Sequence, residues 1–334
     1  MNETIRTLID KVKADSLSGI VQPKETIVTL LGISQDSDEY RYLCQSAYEA
    51  SKQITGGEAY LWGAIGVDFA VCPMNCRFCS LGEAWGIVKE SKSFSQSEII
   101  SQIQEYVQQG IRFIVLRTTE FYSIDTLCDF LKSIRCEVPG EYELVLNIGE
   151  FDLKKADKIH ASGADGVYHA LRLREGIDTI FDPKDRLNTL ASVRDSQLKL
   201  IHLVEPVGPE HTNEEIADVL LNSIRYGVVV SGAMARTPVK GTPLGELPAL
   251  SEKRLAQIIA VTRLCSGVRD ICAHPPSKAV IQSGANVVVI ERGAIPRDTE
   301  VADSLWNAFT PDTAKAYFTE CGYQVIQKRE NVPI

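Results

Sequence analysis

The chain has 334 residues, of which 44% are hydrophobic and 24% are charged, a composition typical of a globular protein. Its formal net charge of −9 argues against a nucleic-acid partner, because phosphate binding relies on clustered Lys and Arg. No segment approaches the roughly 20 apolar residues of a membrane-spanning helix, and residues 1–19 are too charged for a signal peptide. We therefore expect a cytoplasmic protein that binds neither nucleic acid nor membrane.

The first predicted elements are helices. Residues 1–58 predict two or three of them, and from about residue 60 short apolar runs alternate with amphipathic segments. The apolar runs, rich in Val, Ile and Leu as buried parallel strands are, cover residues 59–71, 112–118, 142–151, 165–173, 198–208, 226–234, 268–274 and 285–293. The helical segments between them, several of which start at a Ser, Asp or Asn cap, cover residues 95–110, 123–135, 152–165, 184–197, 213–227 and 250–265.

Eight predicted strands that alternate with helices are typical of an α/β protein built as a (β/α)8 TIM-type barrel. A doubly wound open sheet is the alternative that the same pattern allows. We expect an N-terminal helical segment at residues 1–58, the barrel at 59–310 and a helix-strand tail at 311–334. Active sites of such barrels lie at the C-terminal ends of the strands, so residues that directly follow a strand are candidates for function.

Three of the nine cysteines lie within eight positions, directly after the first predicted strand. Cys72, Cys76 and Cys79 are separated by three and two residues, and in a reducing compartment they are free thiols or metal ligands rather than disulfides. A structural zinc site usually has four ligands, often from two close pairs, and the chain has no second pair. Three thiolates alone would leave a metal centre with an open coordination position, as catalysis requires. Unligated thiols, and a zinc site completed from elsewhere in the chain, remain the alternatives.

This cysteine spacing, with the aromatic Phe78 before the last thiol, resembles the signature of the radical S-adenosylmethionine (SAM) superfamily. The resemblance implies a [4Fe–4S] cluster on Cys72, Cys76 and Cys79, which are then both metal ligands and catalytic residues, with Phe78 among the cofactor-binding residues. It also implies that SAM binds the cluster and that one electron, from a reduced flavodoxin or ferredoxin, cleaves SAM to a 5′-deoxyadenosyl radical. That radical takes a hydrogen atom from the substrate, a chemistry that belongs to the cofactors while the protein positions them.

Further stretches resemble the branch of this superfamily that contains biotin synthase, the hydrogenase maturase HydE and the methylornithine synthase PylB. They are residues 117–120, 146–151 with 162–176, 184–190 and 239–247. The resemblance implies that Glu120 binds the SAM amino group, that Glu175 meets the ribose, and that Arg186 pairs with the SAM carboxylate, as a guanidinium fork can. Thr118 and Thr119 stand where the branch has small residues. Rim or capping roles for the two glutamates, and a helix-surface role for the arginine, are the alternatives.

Biotin synthase carries a second cluster, a [2Fe–2S] bound by cysteines on later strands, and the matching strands of this chain contain none. The remaining cysteines are Cys44, Cys128, Cys136, Cys265, Cys272 and Cys321. Of these, only Cys272 is predicted to face the barrel mouth, because it lies at the end of the seventh strand. A second cluster built from Cys272 and cysteines of the terminal segments remains open. The run from residue 270 to 298 also resembles the two-protein lipoyl synthases, which keeps sulfur insertion among the candidate reactions.

The sequence therefore predicts a radical SAM enzyme of cofactor biosynthesis that acts on a small or carrier-bound substrate in the barrel mouth. Sulfur insertion of the lipoyl type and carbon-skeleton rearrangement or maturase-type chemistry are both consistent with the resemblance. Met234 and Arg236, near the end of the sixth strand, are candidate substrate contacts. The alternative from another class is a non-catalytic iron–sulfur scaffold or carrier, although such a protein has no use for Glu120, Glu175 and Arg186.

Overall fold

Three helices precede the first strand in the computed structural model, which describes residues 2–293 and 308–326. They are α1 (Glu3–Leu17), α2 (Lys24–Leu31) and α3 (Asp38–Thr55). The side chains of Asn2 and Ser37 cap α1 and α3 by accepting hydrogen bonds from amide groups of the first turn. Gly56, with a φ of +66°, ends α3 and lets the chain turn towards the first strand.

Eight strands pair in parallel, each with the next along the chain. They are β1 (Glu58–Gly66), β2 (Phe113–Arg117), β3 (Glu143–Asn147), β4 (Gly166–Tyr168), β5 (Lys199–Ile201), β6 (Val228–Ala235), β7 (Asp270–His274) and β8 (Val287–Arg292). β8 returns to pair with β1, so that Gly63 of β1 lies between Ile114 of β2 and Ile290 of β8. The sheet is therefore closed, which confirms the predicted (β/α)8 barrel and excludes an open sheet. A continuation of β5 at Val204–Val207 also pairs with β6.

Helices on the outside of the barrel connect the strands. They are α4 (Gln96–Gln108), α5 (Ile124–Glu137), α6 (Leu153–Ala161), α7 (Pro183–Arg194), α8 (Asn213–Arg225), α9 (Glu252–Cys265) and α10 (Lys278–Ile281). Two of them begin with a capping box, Ser95 with Glu98 at α4 and Thr212 with Glu215 at α8. The N-terminal helices α1, α2 and α3 pack against α9, and α2 also contacts α8. No helix in the described ranges is long and apolar enough to cross a lipid bilayer.

Strands β3 and β4 end several residues before the predicted apolar runs do. After β4 the chain leaves the sheet, because the Leu171 N–H donates to His202 Nε2 at 3.1 Å and the Leu173 N–H donates to the Glu205 carbonyl at 2.8 Å. The apolar residues beyond the strands are still buried, as Leu173 is, but they belong to loops at the barrel mouth. The sequence prediction therefore extends these two strands too far, because the loop residues that follow them are also apolar and buried.

Aromatic side chains fill the lower half of the barrel interior. The Trp62 and Phe113 rings stack with centroids 5.6 Å apart, and the Tyr60 ring meets Phe113 edge-on at 5.5 Å. These side chains belong to an interior cluster that is distinct from the two larger apolar clusters of the protein. The larger space that remains inside the barrel consequently lies towards the C-terminal ends of the strands.

Short elements outside the barrel repeat lie at both ends of β1. The antiparallel pair Asp68–Phe69 and Lys92–Ser93 brackets the cysteine loop. Helix α11 (Pro311–Glu320) is followed by the strand Gln324–Val325, which pairs with the start of β1. Residues 294–307 and 327–334, which include parts of the predicted barrel range and of the predicted tail, lie outside the described residues.

Candidate active site

The cysteine loop leaves β1 at the mouth of the barrel and folds back on itself. The Cys72 N–H donates to the Leu81 carbonyl at 2.7 Å. Within the loop, the Cys76 carbonyl accepts hydrogen bonds from the Cys79 N–H at 2.9 Å and from the Trp85 indole at 3.2 Å. These bonds hold three thiols on one short loop at the strand ends, which is where a barrel enzyme keeps its active site.

Cys72, Cys76 and Cys79 are partly buried and form no disulfide with any described residue. Cys76 and Cys79, together with Phe78, line a cavity that descends into the barrel. Burial raises the pKa of the Cys72 thiol and raises that of Cys76 to about 12, so thiolates at these positions need a compensating cation. Within residues 2–293 and 308–326, no three His, Cys, Asp or Glu side chains are grouped closely enough to hold a single metal ion. The three thiols of the cysteine loop suit an iron–sulfur cluster, which offers a separate iron to each thiolate.

The structure brings Glu120, Glu175 and Arg186 into one cluster. Arg186 lies in the first turn of α7 and exposes only 2% of its side chain, so it is not a helix-surface arginine. Its Nη2 lies 3.8 Å from Glu120 Oε2, and its Nε lies 3.5 Å from Glu175 Oε2. The guanidinium carbon stands 4.0 Å from the centroid of the Phe181 ring, a cation–π contact. Two carboxylates and an aromatic ring therefore surround the buried positive charge of Arg186.

Arg186 keeps donors that no group in the described part of the chain satisfies. Its Nε and Nη2 atoms are buried and make no hydrogen bond to the described residues. Glu175, in contrast, is held by the Thr179 hydroxyl at 2.6 Å and by the Arg172 N–H at 3.0 Å. Burial raises the pKa of Glu120 and lowers the pKa of Arg186, and the nearby Arg172 lowers the latter further. An anionic ligand group at this place would gain two ready donors.

Three residues of this cluster are absent from the sequence prediction. Glu150 Oε1 lies 2.6 Å from Arg186 Nη1, while Glu150 Oε2 lies 3.2 Å from His169 Nε2 and accepts from the Thr189 hydroxyl. Burial alone would raise the pKa of Glu150, but the hydrogen bond with His169 and the charge of Arg186 lower it to about 2. Glu150 follows the end of β3 and His169 follows the end of β4. A search of the strand ends for titratable residues would have found both.

Glycine at position 149 allows the loops after β2 and β3 to touch. A Cβ added at Gly149 would lie 2.1 Å from the Glu120 carbonyl oxygen. Beside Glu120, Asp68 accepts hydrogen bonds from the Thr119 N–H at 2.7 Å and from the Thr119 hydroxyl. Thr119 therefore ties this loop to Asp68, which gives a physical reason for a threonine where the related branch has a small residue.

A cavity of about 210 Å³ connects the cysteine loop with the barrel interior. Its apolar wall is formed by Trp62, Val115, Ile201, Leu203, Cys272 and Val289. Polar groups line it at the strand ends, where Arg117 Nη1 lies 2.9 Å from Glu291 Oε1 and the Tyr168 hydroxyl donates to Glu205. A largely apolar cavity with a few placed polar groups is typical of a site for a small organic molecule.

Met234, Arg236 and Cys272 line this cavity, as the ends of their strands predict. No other cysteine outside the cysteine loop does so among the described residues. Cys44 lies in α3, and Cys321 directly follows α11. The part of the chain that the structure describes therefore assembles no thiol set for a second cluster around Cys272.

No family model matches the chain. Biotin synthase of Acaryochloris marina is 23% identical over 259 residues, which are 75% of this chain and 73% of that protein. Biotin synthase 2 of Frankia casuarinae is 22% identical over 284 residues, 81% of this chain and 76% of that protein. The chain is a radical SAM enzyme that is similar to biotin synthases. The resemblance that the cysteine spacing indicates is thereby confirmed.

Solved structures agree with this assignment at the level of the fold. This chain superimposes on HydG, a maturase of the [FeFe]-hydrogenase, with a TM-score of 0.77 and 17% identity. The superposition covers 96% of this chain and 79% of HydG. It superimposes on methylornithine synthase, PylB, with a TM-score of 0.75 and 16% identity, covering 95% of this chain and 98% of PylB. The barrel and the helices that precede it are thus shared with both proteins.

Proposed function

We propose that this radical SAM enzyme binds a [4Fe–4S] cluster through Cys72, Cys76 and Cys79 and binds SAM beside it. When bound and reduced, these cofactors supply a 5′-deoxyadenosyl radical that takes a hydrogen atom from an unactivated C–H bond. One observation carries the proposal: the three thiols and the cluster around Arg186 meet at one barrel mouth, above a cavity that Cys76 and Cys79 themselves line.

The residues around Arg186 fit the aminoacyl end of SAM. The buried Nε and Nη2 of Arg186, which make no hydrogen bond to the described residues, would donate to the carboxylate. Glu120, whose carboxylate is mostly buried beside them, would accept from the ammonium group. Glu175 would accept from the ribose hydroxyls, because a carboxylate that already takes two hydrogen bonds retains free lone pairs. Phe78 would pack beside the cofactors from the cysteine loop.

Residues 239–247 support the same site from the opposite side of the cysteine loop. The Leu244 N–H donates to the Arg77 carbonyl at 2.9 Å, and Arg77 Nη1 lies 3.1 Å from Asp178 Oδ1. The loop between Cys76 and Cys79 is therefore held by two neighbouring loops of the mouth. Such support keeps the three thiols in place when the cofactors bind or leave.

The substrate occupies the inner cavity under this proposal. The cavity is largely apolar, and Trp62 and Phe113 fill the interior below it, so water is kept from the reacting atoms. A small free molecule suits a cavity of about 210 Å³ best, and the end of a carrier-bound group is the second candidate. Because Cys272 is the single thiol below the cysteine loop among the described cavity residues, rearrangement or maturase-type chemistry is favoured over sulfur insertion.

The enzyme would work in the cytoplasm with a reduced flavodoxin or ferredoxin as its electron donor. The test is the formation of 5′-deoxyadenosine and methionine from SAM by anaerobic, iron-loaded and chemically reduced protein. We expect both products from the intact chain and neither from Cys76→Ala. A protein that retains its iron but never cleaves SAM would instead be the non-catalytic scaffold or carrier.

A further inference from the structure

The shortest ion pair of Arg186 is with Glu150, whose Oε1 lies 2.6 Å from Arg186 Nη1. We propose that Glu150 is a positioning residue for SAM, acting through Arg186, and that His169 and Thr189 hold Glu150 in place. This inference rests on the proposed function, since it concerns the guanidinium that would bind the SAM carboxylate. It adds three residues behind that site to those that would touch the cofactor.

The distances from the three carboxylates to the Arg186 guanidinium indicate which of them holds it most closely. Glu150 Oε1 lies 2.6 Å from Arg186 Nη1, whereas the oxygens of Glu175 and Glu120 lie 3.5 and 3.8 Å from its Nε and Nη2. The short contact uses the one nitrogen that faces away from the two looser partners. Glu150 therefore anchors one side of the guanidinium and leaves the other side for a ligand.

The second oxygen of Glu150, Oε2, also contacts protein groups. It accepts from the Thr189 hydroxyl and lies 3.2 Å from Nε2 of His169, a side chain that is 2% exposed. Thr189 is fixed in turn, because its Oγ1 accepts from the Phe151 N–H at 3.3 Å. Because Oε1 forms the ion pair with Arg186 and Oε2 contacts Thr189 and His169, both oxygens of Glu150 face protein groups, and we expect Glu150 to act on SAM through Arg186.

Removal of the Glu150 charge should misplace Arg186. A buried guanidinium that loses its closest partner moves to the next carboxylates, here Glu175 and Glu120, because a buried charge without a partner is costly. Those contacts would use Nε and Nη2 and would also occupy Glu120. Arg186 and Glu120 would then pair with each other and would no longer be available to the carboxylate and the ammonium group of SAM.

Equilibrium dialysis of labelled SAM against anaerobic, iron-loaded protein tests this inference. We expect Glu150→Gln to raise the Kd for SAM about tenfold or more while the iron content stays at the wild-type value. Glu58→Gln is the matched control, because Glu58 accepts from Arg269 at 2.7 Å at the opposite end of β1. The control should leave both the Kd and the iron content unchanged.

A double-mutant cycle separates action through Arg186 from any other cause. In an Arg186→Gln background, Glu150→Gln should add no further loss of SAM affinity. Thr189→Val keeps the Glu150 charge but removes one of its hydrogen-bond donors, and it should weaken SAM binding a few-fold. This variant tests the inference if Glu150→Gln does not fold. An unchanged Kd in Glu150→Gln, or an equal loss in both backgrounds, overturns the inference. Wild-type protein that does not bind SAM overturns the proposed function itself.

Discussion

Arg186 Nη2 and Glu120 Oε2 lie 3.8 Å apart, although Arg186 lies in the first turn of helix α7 and Glu120 follows strand β2. At this distance the two groups are an ion pair without a hydrogen bond, so each keeps capacity for a ligand. A zwitterionic aminoacyl group would insert its carboxylate at the first and its ammonium at the second. This spacing is the reason why we propose the pair as the site for the aminoacyl end of SAM.

Replacement of Arg186 by lysine should weaken SAM binding without loss of iron. Lysine keeps the charge but cannot offer two parallel donors to a carboxylate, and a hydrogen bond to a charged group is worth about 1.5–3 kcal/mol. We expect the Kd for SAM to rise at least tenfold in equilibrium dialysis. Arg194→Lys, at the exposed end of the same helix, is the control and should bind SAM as the wild type does.

Iron content distinguishes the predicted cluster ligands from the other cysteines. Cys76→Ala should abolish cluster binding, whereas Cys136→Ala should keep about four irons per chain, the content of one [4Fe–4S] cluster. Cys136 is the suitable control because its side chain is exposed on α5, outside the cavity lining. Equal iron in the two variants, measured after anaerobic reconstitution, would show that the cysteine assignment is wrong. A value near eight would instead indicate a second cluster and sulfur insertion.

Gly149→Ala should disturb the mouth by steric contact alone. The added methyl group would lie 2.1 Å from the Glu120 carbonyl oxygen, so the loops after β2 and β3 must separate. Overpacking of this kind costs about 1–3 kcal/mol in the free energy of unfolding, and SAM affinity should fall with it because Glu120 moves. Gly32→Ala, whose added methyl group would meet its nearest neighbours at 3.4 Å, should change neither quantity. Denaturant titration measures the first and dialysis the second.

Acid should destabilise the protein through the buried His202. Burial lowers the pKa of His202 to about 3, and its neutral ring accepts from the Leu171 N–H and donates to the Leu203 carbonyl. In the unfolded chain the His202 ring takes up a proton near pH 6.5, whereas in the folded protein it does so only near pH 3. As the pH is lowered from 6.5 to 3, the free energy of unfolding therefore decreases by up to about 1.4 kcal/mol per pH unit. His202→Gln should remove that contribution from the pH dependence measured by denaturant titration. The same slope in both proteins would contradict the prediction.

The sequence prediction found the residues to which the resemblance assigns a role and missed those to which it assigns none. Glu120, Glu175 and Arg186 could be placed together because each belongs to a stretch that resembles the biotin synthase branch. Glu150 and His169 lie in the similar stretches 146–151 and 162–176, but the resemblance assigns them no role, and their role depends on which way the chain turns after β3 and β4. That turn is set by contacts between loops, such as the close approach at Gly149, and loop contacts leave no periodic pattern in a sequence.

The most direct test of the central claim is electron paramagnetic resonance of the reduced, iron-loaded protein with and without SAM. Under the proposed function, Cys72, Cys76 and Cys79 would supply three thiolates, and one iron of the cluster would be left for an outside ligand. We expect the spectrum of a reduced [4Fe–4S] cluster whose g-values shift when SAM is added. A spectrum that SAM leaves unchanged, or reconstituted protein without a reducible cluster, would contradict the account.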